Sequence, residues 1–294
     1  MLMISKHMQK EYNIMHKNIL NMGVLKTLTD EYFGDSIRKE DLIDISGLDV
    51  EIVSFTDMNG KFHGNGYRIK DGNPAYMAKM LLTLIERIRE KRGNKCSLND
   101  IDVSNITQMC YKNYYIYGIF ASSEFDGDIS GWDVSNVESM SNMFIYSKFT
   151  GRNGIFRLEK GNKVENMWGM FAGSKFNGNI SNWDVSNVES MGLMFSSSEF
   201  NGDLSKWNVQ KVETMERMFS YSKFTGENGI FKLKEDNKVR HMNNMFESSP
   251  FEANISDWEI NYYCNIDCMF DDTPLQKNDK LPQWYKNIQK QNKK

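Results

Sequence analysis

The amino-acid sequence predicts a repeat solenoid of about seven coils, each a short strand plus a short helix, preceded by a small α+β domain. Three observations predict it. The nonapeptide WDVSNVESM occurs at 132–140 and again, letter for letter, at 183–191. A phenylalanine column, Phe120, Phe144, Phe171, Phe195, Phe219, Phe246 and Phe270, recurs at spacings of 24, 27, 24, 24, 27 and 24 residues. The longer intervals carry matching stretches with extra residues, SKFTGRNGIFRLEKGNKV (147–164) and SKFTGENGIFKLKEDNKV (222–239). A fixed period of this length marks an architecture of stacked units. One unit has about six core side chains, too few to offset the entropy of ordering its own backbone, so neighbouring units must pack on it.

Within a unit, Ser135 and Ser186 precede Glu138 and Glu189 by three residues, the spacing of a helix-capping box. Val137, Met140, Met143 and Phe144 then follow at helical spacing, which predicts a short helix with one face turned into the stack. Next come a small residue (Ser147, Ser174, Ser198, Ser222, Ser249) and, two positions on, Phe149, Phe176, Phe200, Phe224 or Phe251. Turn signals such as Asp126-Gly127 and Asn177-Gly178 lead into alternating Phe-x-Gly-x-Ile and Trp-x-Val stretches, which predict a short strand.

Residues 1–95 show no repeat and read as a small α+β domain or N-terminal cap. Lys6–Leu28 is Met- and Lys-rich with helical spacing. Val50–Ile69 alternates around Asn59-Gly60, a hairpin signal. Ala75–Arg92 reads as an amphipathic helix through Met77, Met80, Leu81, Leu84, Ile85 and Ile88. The charged, glycine-containing Arg89–Lys95 marks the boundary. Residues 96–275 form the repeat solenoid, and residues 276–294 a C-terminal cap with a basic tail whose end, Asn287–Lys294, is expected to be frayed.

Composition narrows the function. With 40% hydrophobic and 26% charged residues the 294-residue chain is of globular type, and a formal net charge of −3 offers no basic footprint for nucleic acid. Cys96, Cys110, Cys264 and Cys268 are too scattered for a disulfide framework and include no CxxC pair. No apolar run is long enough to cross a bilayer. The N-terminal stretch lacks the apolar core of a Sec signal peptide. The expected setting is cytoplasmic, virion-associated or reached by another export route.

No cofactor, metal or catalytic constellation is expected. His7, His16, His63 and His241 are dispersed. Cys264 and Cys268 stand four residues apart, on the outward face of the last expected helix, without the two further ligands a soft metal needs. Asp126, Asp128 and Asp133 have calcium-like spacing, but other repeats replace the first two, and Asp or Asn before Gly is ordinary turn chemistry. No nucleophile elbow, phosphate loop or zinc-hydrolase motif is present. The candidate partner-binding residues are large side chains in columns that are otherwise small or polar. Trp168 shares its column with Ser141, Gly192, Glu216 and Asn243. Tyr146 and Tyr221 stand in the column of Gly173, Ser197 and Ser248. A longer first unit, MCYKNYYIYGIF, adds Tyr111, Tyr114, Tyr115 and Tyr117. These four either present a binding loop or pack between the N-terminal domain and the first coil.

The pattern I-S-x-W-D-V-S-N-V-x-x-M-x-x-M-F-x-x-S-x-F-x-G resembles the short repeat of mycoplasma and Listeria surface lipoproteins, related to the BspA-like leucine-rich repeats. The resemblance covers residues 98–275, and LPQWYK at 281–286 is similar to the ending of several such proteins. It implies a leucine-rich-repeat-like solenoid with a role in adhesion or protein recognition, and transfers no catalytic residue. The sequence shows no signal-peptide core and no lipobox cysteine, so a departure from the pattern is expected there, which counts against the membrane-anchored surface role that the resemblance implies. The expected function is noncatalytic: an extended surface for a protein partner, or else a glycan. The alternative is a structural protein, a phage virion component included, that assembles as a homo-oligomer.

Overall fold

The computed structural model describes residues 45, 47–56, 62–112 and 116–292, with the backbone alone at 52–56, 62–65, 112, 116, 117 and 292. Strand β1 (Val50–Thr56) pairs antiparallel with β2 (Phe62–Ile69), Val50 opposite Ile69 and Thr56 opposite Phe62. The Asn59-Gly60 turn and the Lys6–Leu28 segment lie outside the described residues. Helix α1 (Pro74–Arg92) starts where Asn73 accepts the Ala75 N–H and Pro74 occupies the first turn, in which a missing N–H costs nothing. It buries Met77, Ala78, Leu81, Leu84, Ile85 and Ile88 and ends at Gly93, whose φ of 81° suits a residue without Cβ.

The segment Arg89–Lys95, expected as the boundary, spans the last turn of α1 and the loop that follows it. Strand β3 (Ile101–Asp102) runs parallel to β2, with Tyr67 opposite Ile101, so the start of the repeat region supplies the third strand of the N-terminal sheet. Arg92 reaches Asp100 at 2.7 Å across the same junction. A single hydrophobic cluster runs from Val50 to Ile288. The longer first unit forms a small antiparallel pair, β4 (Cys110–Lys112) and β5 (Ile116–Gly118).

The helix expected after Ser135 and Ser186 does not form, and its capping-box donors show why. The Ser135 and Ser186 N–H groups are taken by Asp133 and Asp184 at 3.0 Å. Those of Glu138 and Glu189 are given to Thr107 and Glu165 of the preceding coil, at 2.7 and 2.8 Å. From Met140 to Ser147 the backbone alternates. Met143, Ile145 and Ser147 donate three residues back, whereas Met140, Asn142, Phe144 and Tyr146 donate to Asn166, Trp168, Met170 and Ala172 of the next coil. A left-handed residue at Asn142 and again at Tyr146, both with φ of 56°, restarts the turn every fourth residue. This series of turns buries residues 140, 143, 144 and 147, the same i, i+3, i+4, i+7 face a helix would bury. The strands expected at Phe-x-Gly-x-Ile and Trp-x-Val do not form either, and the isolated parallel bridges that link successive coils, Gln108 to Ser139, Asn166, Ser190, Thr214, His241 and Asn265, fall instead where the helix was expected.

Aromatic columns hold the coils together. Rings of the first column, Phe120 to Phe270, stack with centroids 5.1 to 5.7 Å apart, and those of Phe125 to Phe251 with centroids 6.0 to 6.2 Å apart. A third column carries Trp183, Trp207 and Trp258, each donating its indole N–H to a carbonyl of the preceding coil at 3.1 to 3.2 Å. Phe156 and Phe231 take the tryptophan place in the two longer units and stack on Trp183 and Trp258. The buried hydroxyls of Ser174, Ser198, Ser222 and Ser249 close on the carbonyl three residues back, so this interior polar column is satisfied. The extra residues protrude at 159–161 and 234–236, where Asn162 and Asn237 tie the loop base to the next coil.

After the last coil come α2 (Pro274–Lys277) and α3 (Gln283–Asn292). Tyr285 sets its ring edge against Phe270 at 5.0 Å, and Trp284 donates to the Ile255 carbonyl at 3.0 Å. The tail expected to be frayed from Asn287 is helical through Asn292, because Ile288 is buried on the end of the stack.

Candidate recognition surface

The turn series gives each coil an outer wall of defined columns. Relative to the core phenylalanine, this wall is formed by the residues six, three and two before it and one and two after, although Ser141, Ala172 and Ser220 among them are buried. Two of these columns have left-handed backbone in successive coils: Asn142, Gly169, Leu193, Arg217, Asn244 and Cys268; and Ser122, Tyr146, Gly173, Ser197, Tyr221, Ser248 and Asp272. A left-handed conformation costs an ordinary side chain about 1–2 kcal/mol, so non-glycine residues there are held by the coil-to-coil hydrogen bonds on either side.

Tyr146 is 67% and Tyr221 61% exposed. Tyr146 lies against Gly173, where a Cβ would overlap its ring, and Tyr221 donates its hydroxyl to Glu247 at 3.1 Å. Trp168 is half-buried rather than freely outward: its six-membered ring covers Gly192, where a Cβ would overlap it. Tyr111 is partly buried in β4, opposite Tyr117 of β5. Of Tyr117 only the backbone is described, and Tyr114 and Tyr115 lie outside the described residues. The structure thus places Tyr146 and Trp168 on neighbouring coils and Tyr221 further along the same column.

The remaining candidates take up bland roles. Cys264 is buried and Cys268 exposed, so they share no outward face and form no metal pair; the helix that would have aligned them is absent. Burial pushes the Cys264 thiol up to about 12, and hydrogen bonding to Asp271 raises that of Cys268. Asp126 accepts the Thr150 N–H and hydroxyl, Asp128 the Ser130 N–H, and Asp133 the Ser135 N–H, all turn and coil-stitching bonds. His241 is an exposed rung of the bridge ladder; His7 and His16 lie outside the described residues, and the side chain of His63 is not described. Among the described residues no group of three His, Cys, Asp or Glu is placed to hold a metal, and no helix is long and apolar enough to cross a membrane.

Three features escaped the sequence reading. Glu138, Glu165, Glu189 and Glu213 stack as an exposed column, the backbone N–H of each of the last three donating to the carbonyl of the one before at 2.8 to 2.9 Å. Leu193 faces outward at φ of 57°. Tyr262 and Tyr263 are exposed, with ring centroids 3.8 Å apart. Lining up every residue six places before the core phenylalanine would have found the glutamates. The tyrosine pair arises because Cys264 turns inward in the last coil, its N–H donating to Asn261 as that of Val137 does to Val134, which leaves Tyr263 outside.

Three tandem segments, 90–160, 153–237 and 228–293, match the model of one family. The chain belongs to the family described as Mycoplasma protein of unknown function, DUF285. The DUF285 segments each span more than two of the phenylalanine periods, the middle one more than three, and the first begins within α1, where the hydrophobic cluster is already continuous with the repeats. No curated protein and no solved structure matches the chain.

Proposed function

We propose that this DUF285 protein is a noncatalytic recognition module whose repeats form a leucine-rich-repeat-like solenoid, related to BspA-type repeats, that presents its outer wall to a protein partner. The observation that carries this reading is the exposure of Tyr146 and Tyr221 in a column whose other members are small or polar. Neither ring is needed by the core, and both are fixed on a backbone tied to its neighbours on both sides. Exposed aromatic side chains on a rigid base bind with little loss of entropy and dominate interface energetics.

A photo-crosslinking amino acid at position 146 or 221 tests this, with position 160 on the protruding loop as the control. Crosslinks to a foreign protein from 146 and 221, absent from 160, are expected. Equal capture from all three positions would sink the reading. Crosslinks only between copies of the chain would favour the self-assembling structural role, which light scattering would show as a concentration-dependent mass.

A further inference from the structure

The outer wall has two features that the packing of the repeats does not require. The first is the column Glu138, Glu165, Glu189 and Glu213, one carboxylate per coil, with coils about 4.8 Å apart as in any parallel stack. Among the described residues none of the four takes part in an ion pair, whereas Lys175 pairs with Glu199 and Lys232 with Asp257 elsewhere on the surface. The second is an apolar patch of Ile145, Tyr146, Trp168 and Leu193 on the second to fourth coils, all exposed or half-buried. Leu193 occupies a left-handed position that Gly169 and Asn142 fill in the two preceding coils, so an apolar side chain there serves neither backbone nor core.

The two features share coils. Glu165 and Trp168 are three residues apart on one coil, and Glu189 and Leu193 four residues apart on the next. Further along, the wall carries Glu216, Glu247, Asp267, Asp271 and Asp272 against Arg217 and Arg240. Lys148, Lys175 and Lys223 stand at its opposite margin, beyond the buried serine column, while Lys163 and Lys211 flank the glutamate column and donate to Asn136 and Asn187, and Arg240 follows Glu213 in that column.

We propose that this wall docks a basic, amphipathic segment of a protein partner, its apolar side chains on the Tyr146, Trp168 and Leu193 patch and its cations along the glutamate ladder. The proposal rests on the recognition reading above and supplies the chemistry of the partner. A cationic segment meets the carboxylates of the ladder while its apolar face covers the patch, so the two contributions favour the same ligand.

The test is selection of a displayed random peptide library on the full-length chain. Selected peptides are titrated against wild type, the patch variant Tyr146→Ala/Leu193→Asn and the ladder variant Glu189→Gln/Glu213→Gln. All four replaced side chains are outward, and thermal unfolding checks that both variants remain folded. Peptides of net positive charge with apolar or aromatic residues are expected, binding about tenfold or more weakly to either variant and more weakly as salt rises. Enrichment of neutral or acidic peptides, no enrichment, or peptides indifferent to the ladder variant would overturn the proposal. A foreign protein crosslinked from Tyr146 but indifferent to the ladder variant would remove this inference and leave the recognition reading standing; crosslinks between copies alone would remove both.

Discussion

Single residues on the wall are legible as pairs across coils. Gly173 follows Tyr146 in one column and Gly192 follows Trp168 in another, and in each case the missing Cβ is the space the ring occupies. Gly192→Ala is therefore expected to lift the indole and cost about 1–3 kcal/mol, as overpacking does. In the Trp168→Ala background the same change is expected to cost much less, since the ring it strikes is gone. Urea unfolding of the four chains of this double-mutant cycle measures the coupling; independent effects would show that the ring does not rest on Gly192. The cysteines give a second residue-scale outcome. At pH 8, Cys268 is expected to react first with a thiol reagent because it alone is exposed, and Cys264, buried with its thiol pushed up to about 12, only on unfolding. Mass spectrometry of the labelled peptides reads the order.

At the level of the element, the sequence carries the inward face faithfully and the backbone path poorly. Met140, Met143, Phe144 and Ser147 are buried at the spacing a helix would use, and the phenylalanine columns fall where the period puts them. The helix does not form because a periodic chain offers each N–H two acceptors, one four residues back and one in the adjacent copy. Only the second is compatible with left-handed residues at Asn142 and Tyr146. That choice depends on the neighbour's position, which no local pattern of apolar residues encodes. The exposure of Tyr146 and Tyr221 was legible because the other members of their column are small or polar, so a large side chain stands out. The glutamate ladder was not, because glutamate is ordinary in any one repeat and unusual only in register. The core columns also set the energetic scale. Phe195 packs between Phe171 and Phe219 with centroids 5.7 and 5.6 Å away and stacks on Phe200 at 4.2 Å. Phe195→Ala is expected to cost about 3–5 kcal/mol in denaturant unfolding. A change below about 1 kcal/mol would mean that the column collapses without a cavity.

Across the whole molecule the open ends of the stack are where stability is most exposed to solution conditions. The first coil is closed by the three-stranded sheet and α1, the last by Trp284 and Tyr285 of α3. The last coil and its cap contain two groups whose ionisation opposes the fold. Burial raises Cys264 from 9.0 to about 12 and Tyr285 from 10.0 to about 12. Each is neutral when protonated, and the folded state holds its proton more tightly than the unfolded state does. Between the unfolded and folded values the unfolded chain binds fewer protons, so stability falls as pH rises. The contribution of Cys264 is complete below about pH 9 and that of Tyr285 below about pH 10, and both are lost as pH approaches about 12. Urea midpoints measured from pH 8 to 11 are therefore expected to fall most steeply above pH 9. Tyr285→Phe keeps the ring on Phe270 and removes the ionising group, giving up only a long hydroxyl contact to Gln289 at 3.5 Å. This variant is expected to match wild type at pH 8 and to exceed it at pH 11. An unchanged midpoint difference between the two pH values would show that the Tyr285 hydroxyl is solvated and that the last coil is not sealed by α3.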